Sequence, residues 1–277
     1  MIDYCTILFD ERERVLFPLH INSLRYYMPG MFNIKVSVRP EDTEGIALCE
    51  SFGVEVLQHP VYIQSPGKAH GLDPSGPDNA NRMNLLMETC TSPWVIHSHM
   101  DIIWKDNMML KAEQFMTDEY GVLGHYPHGC MAINRKAYGE CHTGFYKASF
   151  RAQYWDEEDT PHDPWVRLVG VNDPHPPHYK DPRSKVYVVA TADVGVMIEM
   201  AVQNYSYKFN RGVVVDYHHV CEGSYYGRGG RWGVDGDYVR DANGSIIPLT
   251  EVGKAHHEVI DGRVNDALLK YAMFRER

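Results

Sequence analysis

The 277-residue chain is short of positive charge, with 27 Lys and Arg against 37 Asp and Glu and a formal net charge of −10. Proteins that coat nucleic acid or ride an anionic membrane need broad basic surfaces, so both roles are disfavoured, though a local basic groove is not. Long apolar runs are missing too. There is no stretch of about 18 apolar residues to make a membrane-spanning helix. The opening MIDYCTILFDERER turns charged too soon for a secretory leader. Both features predict a cytoplasmic protein with no membrane segment. The six cysteines, Cys5, Cys49, Cys90, Cys130, Cys141 and Cys221, include no C-x-x-C pair. Their scatter reads as buried free thiols in a reducing compartment. No H-E-x-x-H occurs, and no glycine-rich loop with a lysine follows the first apolar run. A zinc hydrolase and a triphosphate-using nucleotidyltransferase thereby lose their usual signals, and they stay as the alternatives.

What is present is ordinary globular composition, 44% hydrophobic and 23% charged, enough for a full core in one domain. The first third alternates between two periodicities. Tyr4 to Phe9 reads as a strand, residues 14–27 as a helix stopped by Pro29-Gly30, and Ile34 to Val38 as a strand. Thr43 to Phe52 reads as a helix ended by Gly53, and Val54 to Leu57 as a third strand. Strand–helix–strand repetition predicts an α/β fold with a mostly parallel central sheet, right-handed crossovers and flanking helices. In such sheets ligands sit beyond the carboxyl ends of the strands.

Residues 59–78, rich in Pro, Gly and Ser, read as a loop. The helix after it carries Met83, Leu86, Met87 and Cys90 on one face. Trp94 to His97 then forms a strand that delivers His99-Met100-Asp101. A helix with Met108, Met109, Ala112, Phe115 and Met116 on one side follows. Segment 156–185 holds six of the sixteen prolines and the acidic run Asp156, Glu157, Glu158 and Asp159, and is expected as a long loop insertion. Strands are expected at 186–190 and 212–217, with His218-His219 at the end of the second, and helices at 193–204 and 264–274. Residues 223–244, with many glycines, read as a flap. The division expected is one domain: a nucleotide half (1–104), an acceptor half (105–222), then the flap and terminal helix (223–277).

His99 and Asp101, two apart at a strand end, point to one side and can share one ion, Mn²⁺ or Mg²⁺ by donor type. Taken alone, H-x-D is equally an ordinary polar strand end. His218 and His219 face opposite ways on a strand, so at most one reaches such an ion.

The order strand, charged turn, helix, strand, helix, strand, loop, Asn79–Asn84 helix, apolar strand, His99-Met100-Asp101 resembles the nucleotide-sugar half of the GT-A-fold glycosyltransferases, particularly the family 2 type. Ala80-Asn81-Arg82 stands where that family carries an Ala-Arg-Asn-like segment, and His99-Met100-Asp101 where it carries Asp-x-Asp. His99 replaces the first Asp. Gly129 to Tyr138 followed by Gly144-Phe145 resembles the segment near the acceptor. Thr191-Ala192-Asp193 resembles the catalytic acid that opens a helix, and His218-His219 the late histidine.

The resemblance implies an inverting, metal-dependent transfer from a nucleotide-sugar, a UDP-sugar first among them, to a hydroxyl on a saccharide or a modified DNA base. It implies Asp101 as metal ligand with His99 and either His218 or His219. It implies Asp193 as the base, with a helix N-cap as that residue's other reading and the 156–159 run as its rival. Phe9, Asp10, Arg12, Arg39 and Asp42, with Asn81 and Arg82, are implied to surround the nucleotide, although each also suits a plain surface turn. Arg228 and Arg231 in the flap would clamp the diphosphate, bind the acceptor, or sit in a bland loop.

Overall fold

Alternating elements fill the first third of the chain in the computed structural model, which describes residues 1–8, 11–60, 75–126, 129–145, 148–152, 188–192, 195–221, 238–240 and 246–275. Strands β1 (Ile2–Ile7), β2 (Phe32–Val38) and β3 (Glu55–Gln58) alternate with helices α1 (Glu11–Tyr27) and α2 (Thr43–Ser51). The three strands are parallel neighbours. Most of β1 and β2 is buried, because helices cover both faces. β1 accordingly carries an apolar run, while β2 alternates and buries the polar Lys35 and Ser37 as well. Tyr4 and Val36 meet Phe17, Ile21 and Leu24 of α1 on one face. Cys5 and Ile7 meet Met83, Leu86 and Met87 of α3 (Ser75–Thr89), and Cys90 just after it, on the other. Each large apolar side chain buried this way contributes about 1.5–3 kcal/mol.

Helix α3 begins at Ser75, inside the stretch expected to be loop through 78. Pro77 falls in its first turn, where the missing N–H has no intrahelical partner anyway. Strand β4 (Trp94–Ser98) follows and pairs in parallel with β1 on the side away from β2. Beyond it the sheet continues with β7 (Cys130–Asn134), β6 (Tyr120–His125) and β10 (Lys208–Asn210), in the order β10-β6-β7-β4-β1-β2-β3. Only β7 runs against its neighbours, so the α/β expectation of a mostly parallel central sheet with flanking helices holds. The connections change direction between β1 and β4, which opens a crevice at their carboxyl ends.

Several boundaries differ from expectation. The short β5 (Ile102–Trp104) and β6 were not foreseen. The helix expected over Met108 to Met116 is a single turn, α4 (Met109–Ala112), followed by a 3-10 turn. Its apolar spacing still serves burial, since Met108, Met109 and Ala112 are in the core. The strand expected at 212–217 lies at β11 (Tyr217–His219), antiparallel to β5. The strand expected at 186–190 lies at β9 (Val188–Ala192), paired with β8 (Ala148–Ala152). Helix α5 (Arg135–Glu140) follows β7, and α6 (Val196–Asn204) precedes β10.

A small β12–β13 pair (Tyr238–Arg240, Ile246–Pro248) leads to α7 (Leu249–Lys270), which starts well before the expected 264. Ile260, Val264, Ala267 and Phe274 pack on Leu16 and Leu19 of α1. None of the six cysteines forms a disulfide and all are buried. The insertion 156–185 lies outside the described residues, as does the flap 223–244 apart from β12. Among the described residues no helix is long and apolar enough to cross a membrane.

Candidate metal centre

Strand β4 ends at Ser98 and hands the chain to His99, Met100 and Asp101 at the mouth of the crevice. Met100 is buried in the core beneath, which turns its two neighbours toward the opening. The His99 N–H donates to the carbonyl of Gly129 at 2.7 Å. Gly129 has φ +127°, and a Cβ there would stand 2.9 Å from Ile102 Cγ2 and 3.1 Å from the Tyr217 ring. Only glycine lets that turn approach so closely.

Pairing of β5 with β11 sets His219 opposite Ile102, directly beside Asp101. Asp101 fastens the end of β11 with its own atoms. Its carbonyl accepts Val220 N–H at 2.8 Å and its Oδ2 accepts Cys221 N–H at 3.2 Å. The other oxygen, Oδ1, lies 3.3 Å from His219 Nε2 and 3.9 Å from His99 Nδ1. The two ring nitrogens are themselves 3.3 Å apart. Donors about 2.1 Å from a shared tetrahedral ion stand about 3.4 Å from one another, so this spacing fits one divalent cation. The side chains of Asp101, His219 and His99 are 2%, 10% and 16% exposed, so the carboxylate is withdrawn from water while the imidazoles edge the crevice.

His218 is not part of this group. It pairs with Ile103 on the opposite face of β11, and its ring lies 5.6 Å from that of Tyr271 in the C-terminal packing. Two contacts that the sequence did not signal hold the group from outside. The Tyr126 ring meets His99 edge-on at 4.6 Å, and its hydroxyl donates to Asn79 Oδ1 at 3.1 Å. Beneath β5, His20 Nδ1 bonds the Ile102 carbonyl at 2.7 Å and its Nε2 meets the Tyr4 hydroxyl at 3.2 Å. The Tyr4 hydroxyl in turn accepts Trp104 Nε1–H at 3.2 Å. Burial lowers the His20 imidazole to about 4, against opposing pulls from the Ile102 carbonyl and the Asp101 charge. Burial likewise lowers His97, packed on Met83 Sδ and Phe145, to about 3. Both rings are therefore neutral scaffold at pH 7.

The residues expected at the nucleotide end are placed as follows. Arg82 is fully buried. Its Nε donates to Ser37 Oγ at 2.9 Å, and its Nη2 to the carbonyls of Ser37 at 2.8 Å and Leu8 at 3.3 Å. It thus ties the ends of β1 and β2 together. Asp42 caps α2 through Gly45 N–H at 2.9 Å and pairs with Arg14 Nη1 at 2.8 Å. Arg12 pairs with Asp261 of α7 at 2.7 Å. Arg39, partly exposed, lies just past β2, and Asn81, also partly exposed, sits on α3. Phe9, Asp10, Asp193, Arg228 and Arg231 lie outside the described residues.

No protein-family model matches the chain, and no curated protein does. Solved structures overlay on it at low identity. TarS of S. aureus matches at 11% identity and a TM-score of 0.39, covering 53% of this chain, which spans 50% of that one. The mannosyltransferase PcManGT from Pyrobaculum calidifontis, in complex with GDP-Man and Mn²⁺, matches at 10% identity and a TM-score of 0.47, covering 98% of this chain and 75% of that one. A cytidylyltransferase from Leptospira borgpetersenii matches at 10% identity and a TM-score of 0.37, over 51% of this chain and 62% of that one.

Proposed function

We propose that this chain is a metal-dependent glycosyltransferase, moving a sugar from a nucleotide-sugar donor to a hydroxyl acceptor. The observation that carries the reading is the convergence of His99, Asp101 and His219 at the carboxyl end of β4, where the strand order opens a crevice. A divalent ion held there neutralises the charge that develops on a leaving nucleoside diphosphate. Two imidazole nitrogens beside one carboxylate suit Mn²⁺ better than Mg²⁺, which prefers an all-oxygen shell.

Around that point the chain's residues divide the work. Arg82 fixes the ends of β1 and β2 that frame the nucleotide, with Arg39 and Asn81 nearby on β2's exit and α3. Asp42 and Arg12 hold the outer turns. Motif order gives Asp193 as a candidate for the acceptor's proton, and Arg228 and Arg231 as candidates for the diphosphate. An inverting reaction, a uridine nucleotide, and a saccharide or hydroxylated DNA base as acceptor complete the reading suggested by motif order. A second reading, a metal-dependent hydrolase, draws on the same donor set, since two histidines and a carboxylate also suit a metal-bound water.

The deciding experiment is thermal stability with UDP, GDP, CMP, ADP and dTDP, each with and without Mn²⁺. Stabilisation by one nucleotide that needs Mn²⁺ and vanishes in Asp101→Asn supports sugar transfer and names the donor class. Metal-dependent stabilisation with no nucleotide effect points to the hydrolase instead.

A further inference from the structure

A second titratable cluster lies on the β6 side of the crevice. Glu199, in the first turn of α6, is 1% exposed, yet its carboxylate serves two partners. His125 Nδ1 bonds Oε1, while Arg211 donates from Nε at 2.9 Å and from Nη2 at 2.7 Å to Oε2. An ionised carboxylate only accepts hydrogen bonds, so His125 carries its proton on Nδ1 and turns Nε2 to the far side of the ring. The His125 and Arg211 N–H groups together engage both oxygens of this buried carboxylate. This is the arrangement of an imidazole base oriented by a buried acid.

Its place in the sheet matters as much as its bonding. His125 pairs with Cys130, and Cys130 with Ser98. The three form one row across the carboxyl edge, with His125 about 10 Å from β4 at ordinary strand spacing. The next residue, Tyr126, touches His99. Arg211 lies on the connection from β10 to β11, the strand that supplies His219.

We propose that His125, oriented by Glu199 and Arg211, is the proton acceptor for the attacking hydroxyl, an inference that rests on the sugar-transfer reading and offers an alternative to Asp193 in that role. The O–H bond breaks with its proton passing to Nε2, and the oxygen bonds the anomeric carbon. The bond from that carbon to the diphosphate breaks with its electron pair leaving on the nucleotide. Glu199 stabilises the imidazolium until water takes the proton away.

The test uses the full chain with Mn²⁺, and UDP-glucose and GDP-mannose as donor probes, with water standing in for the acceptor and released nucleoside diphosphate as the readout. His125→Ala should slow release by about 100-fold or more, keep the nucleotide-induced rise in melting temperature, and recover when imidazole is added. His125→Asn, which retains a donor toward Glu199, should be equally slow and covers the case in which the alanine variant folds poorly. A variant within about threefold of wild type overturns the proposal. So does a folded, slow His125→Ala variant that imidazole does not restore, which would mark the cluster as a tie between β6 and α6. Wild-type protein that binds nucleotide but releases none from either probe also overturns it. Wild type showing no nucleotide-dependent stabilisation removes the sugar-transfer reading and this proposal with it, and that failure is visible before any rate is measured.

Discussion

Asp101 Oδ2 accepts the backbone N–H of Cys221 at 3.2 Å while its Oδ1 faces His219 Nε2 at 3.3 Å. One carboxylate thus anchors the strand and addresses the ligand that the strand carries. The consequence is a sharp difference between adjacent histidines. Mn²⁺ at about 100 times its dissociation constant stabilises the native state by about 2.7 kcal/mol, a rise of roughly 5–10 °C for a chain of this size. His219→Ala should lose that rise. His218→Ala should keep it and start from a lower melting temperature, because the ring packed on Tyr271 is gone. Equal metal responses in the two variants would remove His219 from the site.

Arg82 invites a different expectation. Its guanidinium bonds two strand carbonyls and the Ser37 hydroxyl in a fully buried position. Arg82→Met strands those carbonyls without donors and should cost about 3–5 kcal/mol in urea unfolding. Arg82→Lys should recover little, since one ammonium cannot reproduce the planar fork. If both variants unfold like wild type but lose the nucleotide-induced stabilisation, Arg82 touches the nucleotide directly rather than framing its crevice.

The fold was legible where burial on two faces writes apolar runs, as in β1 and β4, where apolar and polar residues alternate, as in β2, and where glycine or proline marks an end. The centre was half legible. His99 and Asp101 are two residues apart, so strand geometry alone brings them together. The choice between His218 and His219 depended on the register of β11 against β5, a strand of three residues, too short to leave a periodic trace. Tyr126 and Glu199 gave no signal, because each acquires meaning only from partners dozens of residues away. The start of α3 was missed because Pro77 reads as a breaker in sequence yet is harmless in a first turn.

Two glycines separate local backbone demands from open space. Gly195 caps α6 at φ +90°, and a Cβ there would stand 2.7 Å from Tyr126 Cβ. Gly195→Ala should therefore destabilise by about 1–3 kcal/mol. It should also weaken Mn²⁺ binding, because Tyr126 is displaced against His99. Gly262 lies exposed in α7 with nothing near its Cβ position. Gly262→Ala should stabilise by about 0.5–1 kcal/mol and leave metal affinity unchanged. Urea unfolding and Mn²⁺ titration of both variants check the pair, and unaltered metal affinity in Gly195→Ala would uncouple Tyr126 from the centre.

Acid should weaken this fold through His20 in a defined window. Burial holds its folded-state value at about 4, below the 6.5 of an exposed imidazole. Above pH 6.5 the ring is neutral in both states and contributes no slope. As pH falls from 6.5 toward 4, the unfolded chain binds a proton that the native chain refuses, so stability drops. The drop ends where the native ring also titrates. By linkage the loss is about 2 kcal/mol at pH 5 and about 3 kcal/mol when complete. His20→Gln removes the titration and still offers an N–H toward the Ile102 carbonyl and an oxygen toward the Tyr4 hydroxyl. Its urea-derived stability should fall less than that of wild type between pH 7 and pH 5, by about 2 kcal/mol. Parallel curves for the two proteins would mean that the native ring admits its proton, and that the Tyr4–His20–Ile102 chain under the metal centre rearranges to allow it.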